Sequence, residues 1–282
     1  MNEITDKEYF SLPALSKSGL KYWDIFNPMA FWAKCPFNPD SKKEPISDAL
    51  IRGTLFHSIL LEPNTIQKKY IVCDAYGKSR INKKWIEAQE KEDKIIITTE
   101  ELAQAEKMIT AISRHQILRD LLSGGKSEEY FLWYDKIWDI PCKMKTDYIK
   151  NTEEGLYIID YKTTSYEVPL YIDKNKFEYD VGFYTRGAKE KYKREVSKFI
   201  FIFQSSKEND ENNIRIKVVE GANLEACQIA TDVAVKQIVP RIKGWQKAEN
   251  NDDKLKFWLP DIQPEIWDIS AYFDKKIADT TL

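Results

Sequence analysis

The residues best placed to do chemistry lie in one stretch, PCKMKTDYIKNTEEGLYIIDYKTT, from Pro141 to Thr164. Two apolar strands flank an Asn-Thr-Glu-Glu-Gly turn, and each carries an acid: Asp147 on the first, Asp160 on the second. An antiparallel hairpin looped over residues 152–155 pairs residue 151 with 156 and brings Asp147 roughly opposite Asp160. Directly opposed residues have Cβ atoms ~4.5–5.5 Å apart, where like charges destabilise a sheet. Alternation along the second strand puts Lys162 on the face of Asp160. Two carboxylates and an ammonium brought together in this way suit a divalent cation and a phosphate. An Asp-x-Lys triplet alone is more often a solvated strand edge, and structural ion-pair networks also gather charge. Here Tyr157, Ile158 and Ile159 form an unbroken apolar run, which reads as a strand covered on both faces. Charge appearing abruptly at its end, followed by Thr163 and Thr164, marks a candidate site.

Other residues could join it. His57 is one of two histidines and lies in a helical pattern with apolar neighbours. Such a histidine is usually a packing residue rather than a ligand. The second, His115, stands at a helix end and reads as structural. Glu128 and Glu129 open a strand, and adjacent strand residues face opposite ways, so only one can reach a common centre. Lys143 and Lys145 share the face of Asp147 by strand parity. The same register sets Lys145 opposite Lys162, an arrangement that needs acids or a phosphate between them. Lys83, Lys84 and the run from Lys189 to Arg194 are further cations, the last reading as a solvated helix face.

Short helices over 14–25 and 28–35 open the chain, the second with Pro28 in its first turn. A helix over 46–61 has Ser47 near its start and Pro63 just past its end. Tyr70–Cys73 reads as a strand, and 82–92 as a charged segment. After the strand at Ile95, Thr98 or Thr99 caps a helix with Glu behind it, as in a capping box. Strands are expected over 128–134, 137–149 and 156–162, then a helix over 177–193. Strands at 198–204 and 213–219 and a long helix over 223–245 follow. The class is helix-rich α/β, with one domain over 1–245 and an extension over 246–282. Within that domain a helical portion runs to about residue 120, and the sheet core covers about 121–220. In the extension Trp258 and Trp267 are expected to pack.

With 282 residues a packed core is not limiting. No apolar run is long enough for a membrane span and no signal-peptide pattern stands at the start, so the expectation is a cytoplasmic protein without membrane contact. Cys35, Cys73, Cys142 and Cys227 are scattered with no Cys-x-x-Cys, a spacing that argues against zinc and against an iron–sulfur cluster. A net charge of −2 gives no overall attraction to nucleic acid. Any DNA channel must therefore be locally basic.

Several words along the chain resemble one family. An acid, then after a loop DYKTT from Asp160 to Thr164, resembles the PD-(D/E)xK nuclease superfamily. CKMKTD, from Cys142 to Asp147, is similar to the Cys-Lys-x-(Arg/Lys)-x-Asp strand of phage and prophage exonucleases of the RecE (exonuclease VIII) type. IRGTLFHSILLEP, from Ile51 to Pro63, resembles their Gly-x-x-x-His-x-x-x-Leu-Glu-Pro helix. SKSGL from Ser16 resembles their Ser-x-Ser-x-Leu opening, and EEYFLW from Glu128 their Glu-containing strand. The resemblance runs from about residue 10 to 245 in the family's order. It departs twice. DVGFY from Asp180 to Tyr184 has Asp where the family has Gln, and the Glu that usually follows Gln204 is absent.

The resemblance implies a restriction-endonuclease-like core, a central mixed sheet flanked by helices with a helical N-terminal elaboration. It implies a Mg²⁺-dependent exonuclease, with Mn²⁺ a possible substitute, that digests one strand of linear duplex DNA from a 5′ end. The 3′ single strand left behind would serve recombination through a single-strand annealing protein. Asp147, Asp160 and Lys162 would be catalytic. Asp147, Asp160, His57, the Tyr161 carbonyl and Glu128 would hold the metal, and Lys143, Lys145, Thr163 and Tyr184 would face DNA. A homo-oligomeric ring and a bacterial or phage-infected cytoplasm are implied by the resemblance alone. Rival readings are an endonuclease or single-strand-specific nuclease on the same core, or a non-catalytic DNA-binding or assembly protein on a decayed nuclease fold.

Overall fold

The structure is a computed structural model that describes residues 4–23, 27–41, 48–73, 94–169, 171 and 175–259. Ser47, Lys83, Lys84, the charged segment 82–92 and Trp267 lie outside the described residues.

A five-stranded mixed sheet forms the centre, in the order β3-β4-β5-β6-β7. Its strands are β3 (Lys126–Asp135), β4 (Ile140–Thr152), β5 (Gly155–Thr164), β6 (Val196–Ser205) and β7 (Ile214–Glu220). Within this sheet three pairs are antiparallel and the β5–β6 pair is parallel. Between those two strands the chain runs through helix α8 (Phe177–Tyr192), as a parallel pair requires a crossover. The expected hairpin forms in the expected register, with Asn151 opposite Leu156 and Thr152 opposite Gly155. Gly155 has φ +139°, a conformation that L side chains rarely adopt, and its site faces the Glu195 carbonyl.

Alternation divides the sheet's apolar residues between two cores. Ile158, Phe199, Phe201 and Phe203 enter one core with Val181, Phe183 and Tyr184 of α8. Ile159, Tyr161, Ile200 and Ile202 enter the other, against Leu55 and Phe56 of α4 (Asp48–Leu61) and Met108 and Ile112 of α6 (Thr99–Ser113). The short helices α5 (Ile66–Lys69) and α7 (Gln116–Leu121) follow α4 and α6 in the chain. Burying each such side chain contributes ~1.5–3 kcal/mol, so the continuous apolar runs of β5 and β6 are what a doubly covered strand needs. Helix α6 begins at a capping box in which the Thr98 hydroxyl accepts from the Glu101 N–H and the Glu101 carboxylate accepts from the Thr98 N–H. Strand β2 (Ile95–Thr98) leads into it and pairs in parallel with β1 (Tyr70–Cys73). Helix α9 (Ala222–Lys247) packs on α8. Past α10 (Asn251–Lys256), Trp258 stacks on Trp32 of α3 (Pro28–Lys34) at 4.4 Å between ring centroids.

One departure from the sequence expectation shapes the site. The helix anticipated over 14–25 is only α2 (Lys17–Leu20). Ala14 and Leu15 are extended instead, because β4 is longer than its pairing with β5. That pairing ends at Tyr148–Ile159. On the remaining half of β4, Leu15 bridges Cys142: the Leu15 N–H donates to the Pro141 carbonyl at 2.9 Å and the Lys143 N–H to the Leu15 carbonyl at 2.8 Å. β4 and β5 therefore separate just where both acids stand, and the N-terminal arm, with α1 (Asp6–Ser11) at its start, enters beside the gap. Among the described residues no helix is long and apolar enough to cross a membrane.

Candidate active site

Asp147 is the first residue of β4 past the ladder, and its carboxylate stays attached to β5. Its Oδ2 accepts the Tyr161 N–H at 2.8 Å. This side chain replaces the backbone acceptor that the diverging strand no longer supplies, so its position is set by the sheet. His57 reaches the same oxygen from α4, with Nδ1 3.5 Å from Asp147 Oδ2. Its ring lies 5.2 Å from that of Tyr161. Burial lowers the His57 pKa, Lys162 and Lys17 lower it further, and Asp147 opposes them. A neutral imidazole with a free nitrogen lone pair is the state a metal ligand needs.

Glu128 completes the group. It falls between the ladder pairs Ser127–Tyr148 and Glu129–Thr146, level with Asp147. Its φ of +52° is left-handed, costly for a residue with a Cβ and most often retained at functional positions. His57, Glu128 and Asp147 each offer a ligand atom within 4.8 Å of the others. Burial pushes the Glu128 carboxyl up to about 7, against the pull of Lys145. One nitrogen and two carboxylate oxygens at this separation fit a divalent cation. Glu129 faces elsewhere: its carboxylate lies 2.5 Å from Lys191 Nζ and also accepts the Tyr192 hydroxyl.

Asp160 is fully buried beside this group but is not among its mutually close ligand atoms. Its Oδ2 pairs with Lys162 Nζ and its Oδ1 lies 3.2 Å from Lys17 Nζ. Although burial raises the Asp160 pKa, these two ammonium groups hold it well below the usual carboxylate range. The expected opposition of the two acids is thus relieved by strand separation, and so is that of Lys145 and Lys162. Lys145 sits 2.5 Å from Glu128 and 3.1 Å from Asp6 of α1.

The four residues assigned to the DNA side take different places. Lys143 is buried, and its ammonium donates to the carbonyls of Tyr9, Phe10 and Leu12, fastening the N-terminal arm to β4. The Tyr184 ring is buried, with its hydroxyl donating to the Lys145 carbonyl at 2.6 Å. Thr163 borders a cleft of about 630 Å³ that Arg52, Gly53, Lys107 and Tyr166 also line. Lys145 serves Glu128. The cations of α8's end are paired, among them Lys189 with Glu195 and Lys193 with Glu190.

Sequence reasoning passed over Lys17 and Lys21. They stand four residues apart, one on α2 and one at its end, and both reach Asp180 of α8, at 2.7 and 2.8 Å. That spacing, which presents two side chains on one face, was the available signal.

A family model described as "PDDEXK-like domain of unknown function (DUF3799)" matches residues 16–251. The chain belongs to this PDDEXK-like family. Its matched span runs from Ser16, just before Lys17, to beyond α9, so it contains every residue of the centre described above. Among solved structures, a protein from Eubacterium rectale provisionally named an exonuclease superposes with a TM-score of 0.57. The two are 13% identical, over 96% of this chain and 98% of the other. The crystal structure of SSO0001 aligns at a TM-score of 0.27 and 15% identity, over 64% of this chain and 84% of that one, too loosely to bear on the fold. No curated protein matches the chain. The architecture is that of PDDEXK-like nucleases, which typically depend on a divalent metal.

Proposed function

We propose that this PDDEXK-like protein is a Mg²⁺-dependent exonuclease that hydrolyses phosphodiester bonds of linear duplex DNA, with Mn²⁺ able to substitute. The observation that carries the reading is the convergence of His57, Glu128 and Asp147, with the buried Asp160–Lys162 pair alongside. The name of the Eubacterium rectale protein, which shares the fold, favours an exonuclease over other nucleases. The Ser-x-Ser-x-Leu, Cys-Lys-x-Lys-x-Asp and Asp-x-Lys words favour attack from a 5′ end, leaving a 3′ single strand for an annealing protein.

The chain's own residues divide the work. His57, Glu128, Asp147 and Asp160 would hold the cation, with the Tyr161 carbonyl as a further oxygen. When bound there, a divalent cation supplies positive charge to the scissile phosphate and acidifies water. Asp147, braced by the Tyr161 N–H, fixes the ligand set against β5. Lys162 holds the attacking water by a hydrogen bond and offsets charge developing on the phosphoryl oxygens. The cleft beside Thr163 is the space into which a displaced strand or released nucleotide would pass.

The test is end-labelled linear duplex with Mg²⁺, beside a covalently closed circle and a Ca²⁺ control. Loss of the linear DNA alone, abolished by Asp160→Ala, is the expected result. Cutting of the circle would make the protein an endonuclease. Full activity in Asp147→Ala and Lys162→Ala variants would refute the site.

A further inference from the structure

Asp160 and Asp180 are both without solvent exposure, and three ammonium groups serve them. Lys162 takes Asp160 Oδ2 and Lys17 takes Asp160 Oδ1, so both oxygens of the carboxylate already face a cation. A divalent ion cannot reach Asp160 in that state without an ammonium giving way. Among the described residues Lys162 makes its one ion pair with Asp160, and it is held two positions away on the same strand face. Lys17 has an alternative. Its Nζ is nearer to Asp180, at 2.7 Å against 3.2 Å for Asp160, and it lies 4.5 Å above the centre of the Tyr184 ring. Burial lowers the Lys17 pKa, but Asp160 and Asp180 together hold it well above the usual value, so the group is a permanent cation.

We propose that Lys17 is a resident cation that occupies Asp160 until a divalent metal takes that carboxylate, and that Asp180 is the acceptor to which Lys17 then withdraws. Lys17 is thus a positioning residue, delivered by the arm that bridges β4 at Leu15. The role also accounts for an acid at 180: a neutral amide there would leave a displaced ammonium buried without a counter-charge. Lys21, 2.8 Å from Asp180 Oδ2, gives that carboxylate a second cation while Lys17 is shared. The proposal rests on the reading of Asp160 as a metal ligand.

Binding of Mn²⁺ alone, followed by electron paramagnetic resonance of the free ion, tests it. Removing an ammonium a few ångströms from the ion in Lys17→Met should tighten Mn²⁺ binding by about tenfold or more. Asp180→Asn should weaken it, because Lys17 then has only Asp160 to pair with. In the Lys17→Met background Asp180→Asn should weaken binding by less than it does in wild type, since the ammonium that needed the acceptor is gone and only Lys21 still pairs with Asp180. A residue that merely shaped the fold would move both single variants the same way. Unchanged or weaker binding in Lys17→Met overturns the proposal, as does unchanged or tighter binding in a folded Asp180→Asn. If Asp180→Asn does not fold, as judged by thermal melting, the Lys17→Met result decides alone. Failure of the underlying reading looks different: wild-type protein would bind no Mn²⁺, or Asp160→Asn would bind it as well as wild type.

Discussion

Asp147 and Asp160 occupy matching positions on paired strands, yet they receive different partners, and this asymmetry distinguishes the parts proposed for them. Asp147 accepts a backbone N–H and stands near a neutral imidazole, so it is oriented without being neutralised. Asp160 is matched by two ammonium groups. The Asp147→Asn variant should therefore lose Mn²⁺ affinity and turnover together. Lys162→Met, which also removes an ammonium from Asp160, should bind Mn²⁺ at least as tightly as wild type while turnover falls by ~10²–10³, the usual cost of one preorganised donor. Equal loss of both quantities in Lys162→Met would make Lys162 a structural counter-ion rather than a participant. Glu128 gives a second prediction, for metal-free protein. Burial raises its folded pKa to about 7 from an ordinary 4.5, so the folded state holds the proton more tightly than the unfolded one. Its contribution to stability is complete below pH 4.5 and is lost as pH rises through 7, with a slope of at most about 1.4 kcal/mol per pH unit. Melting temperatures of chelator-treated protein between pH 4.5 and 7 should show this decline, and Glu128→Gln should flatten it. A variant that keeps the full wild-type slope would place the titration elsewhere.

The elements that hold these residues are constrained where backbones come closest. Gly182 of α8 faces α9, and a Cβ there would collide with the Thr231 hydroxyl and the Cys227 carbonyl. Replacing a helical glycine by alanine ordinarily stabilises by ~1 kcal/mol, but here one of the two obstructing groups, the Cys227 carbonyl, is backbone and cannot rotate away. Gly182→Ala should instead destabilise by ~1–3 kcal/mol, as overpacked cores do. A raised melting temperature would show that the two helices can separate at little cost. This contact was not legible in the sequence, because it depends on where α9 crosses α8 and not on either helix's own pattern. The hairpin was legible to the residue: the Asn-Thr-Glu-Glu-Gly turn and the apolar runs fix its register. Its continuation to Asp147 and Asp160 was not, since the ladder stops at the pair before them. The edge of β4 vacated there is taken by Leu15, a residue far off in the chain. A local helical pattern over 14–25 gave no hint of that bridge. Strand parity placed Lys143 and Lys145 on the side of Asp147, yet both are engaged within the protein, Lys143 by the carbonyls of the arm and Lys145 by Glu128.

Across the whole molecule the centre is assembled from α2, α4, β3, β4, β5 and α8, so no single element carries it. Binding of a cation there, as proposed, would be linked to the folding of all these elements at once. The unfolded chain, with its acids far apart, offers no comparable site. A metal held at a hundred times its dissociation constant then stabilises the folded state by ~2.7 kcal/mol. For a domain of this size that corresponds to a rise in melting temperature of about 5–10 °C. The shift should appear with Mn²⁺ and with Ca²⁺ alike, because it reports binding and not turnover. It should vanish in Asp147→Asn, which removes the proposed ligand tied to β5. Sodium chloride at matched ionic strength controls for general screening, which the nearly balanced net charge of −2 keeps small. A shift that persists in Asp147→Asn would mean that the cation binds at a surface acid cluster. A shift seen with wild type and lost in the variant would tie the stability of the fold to the centre formed where β4 and β5 separate.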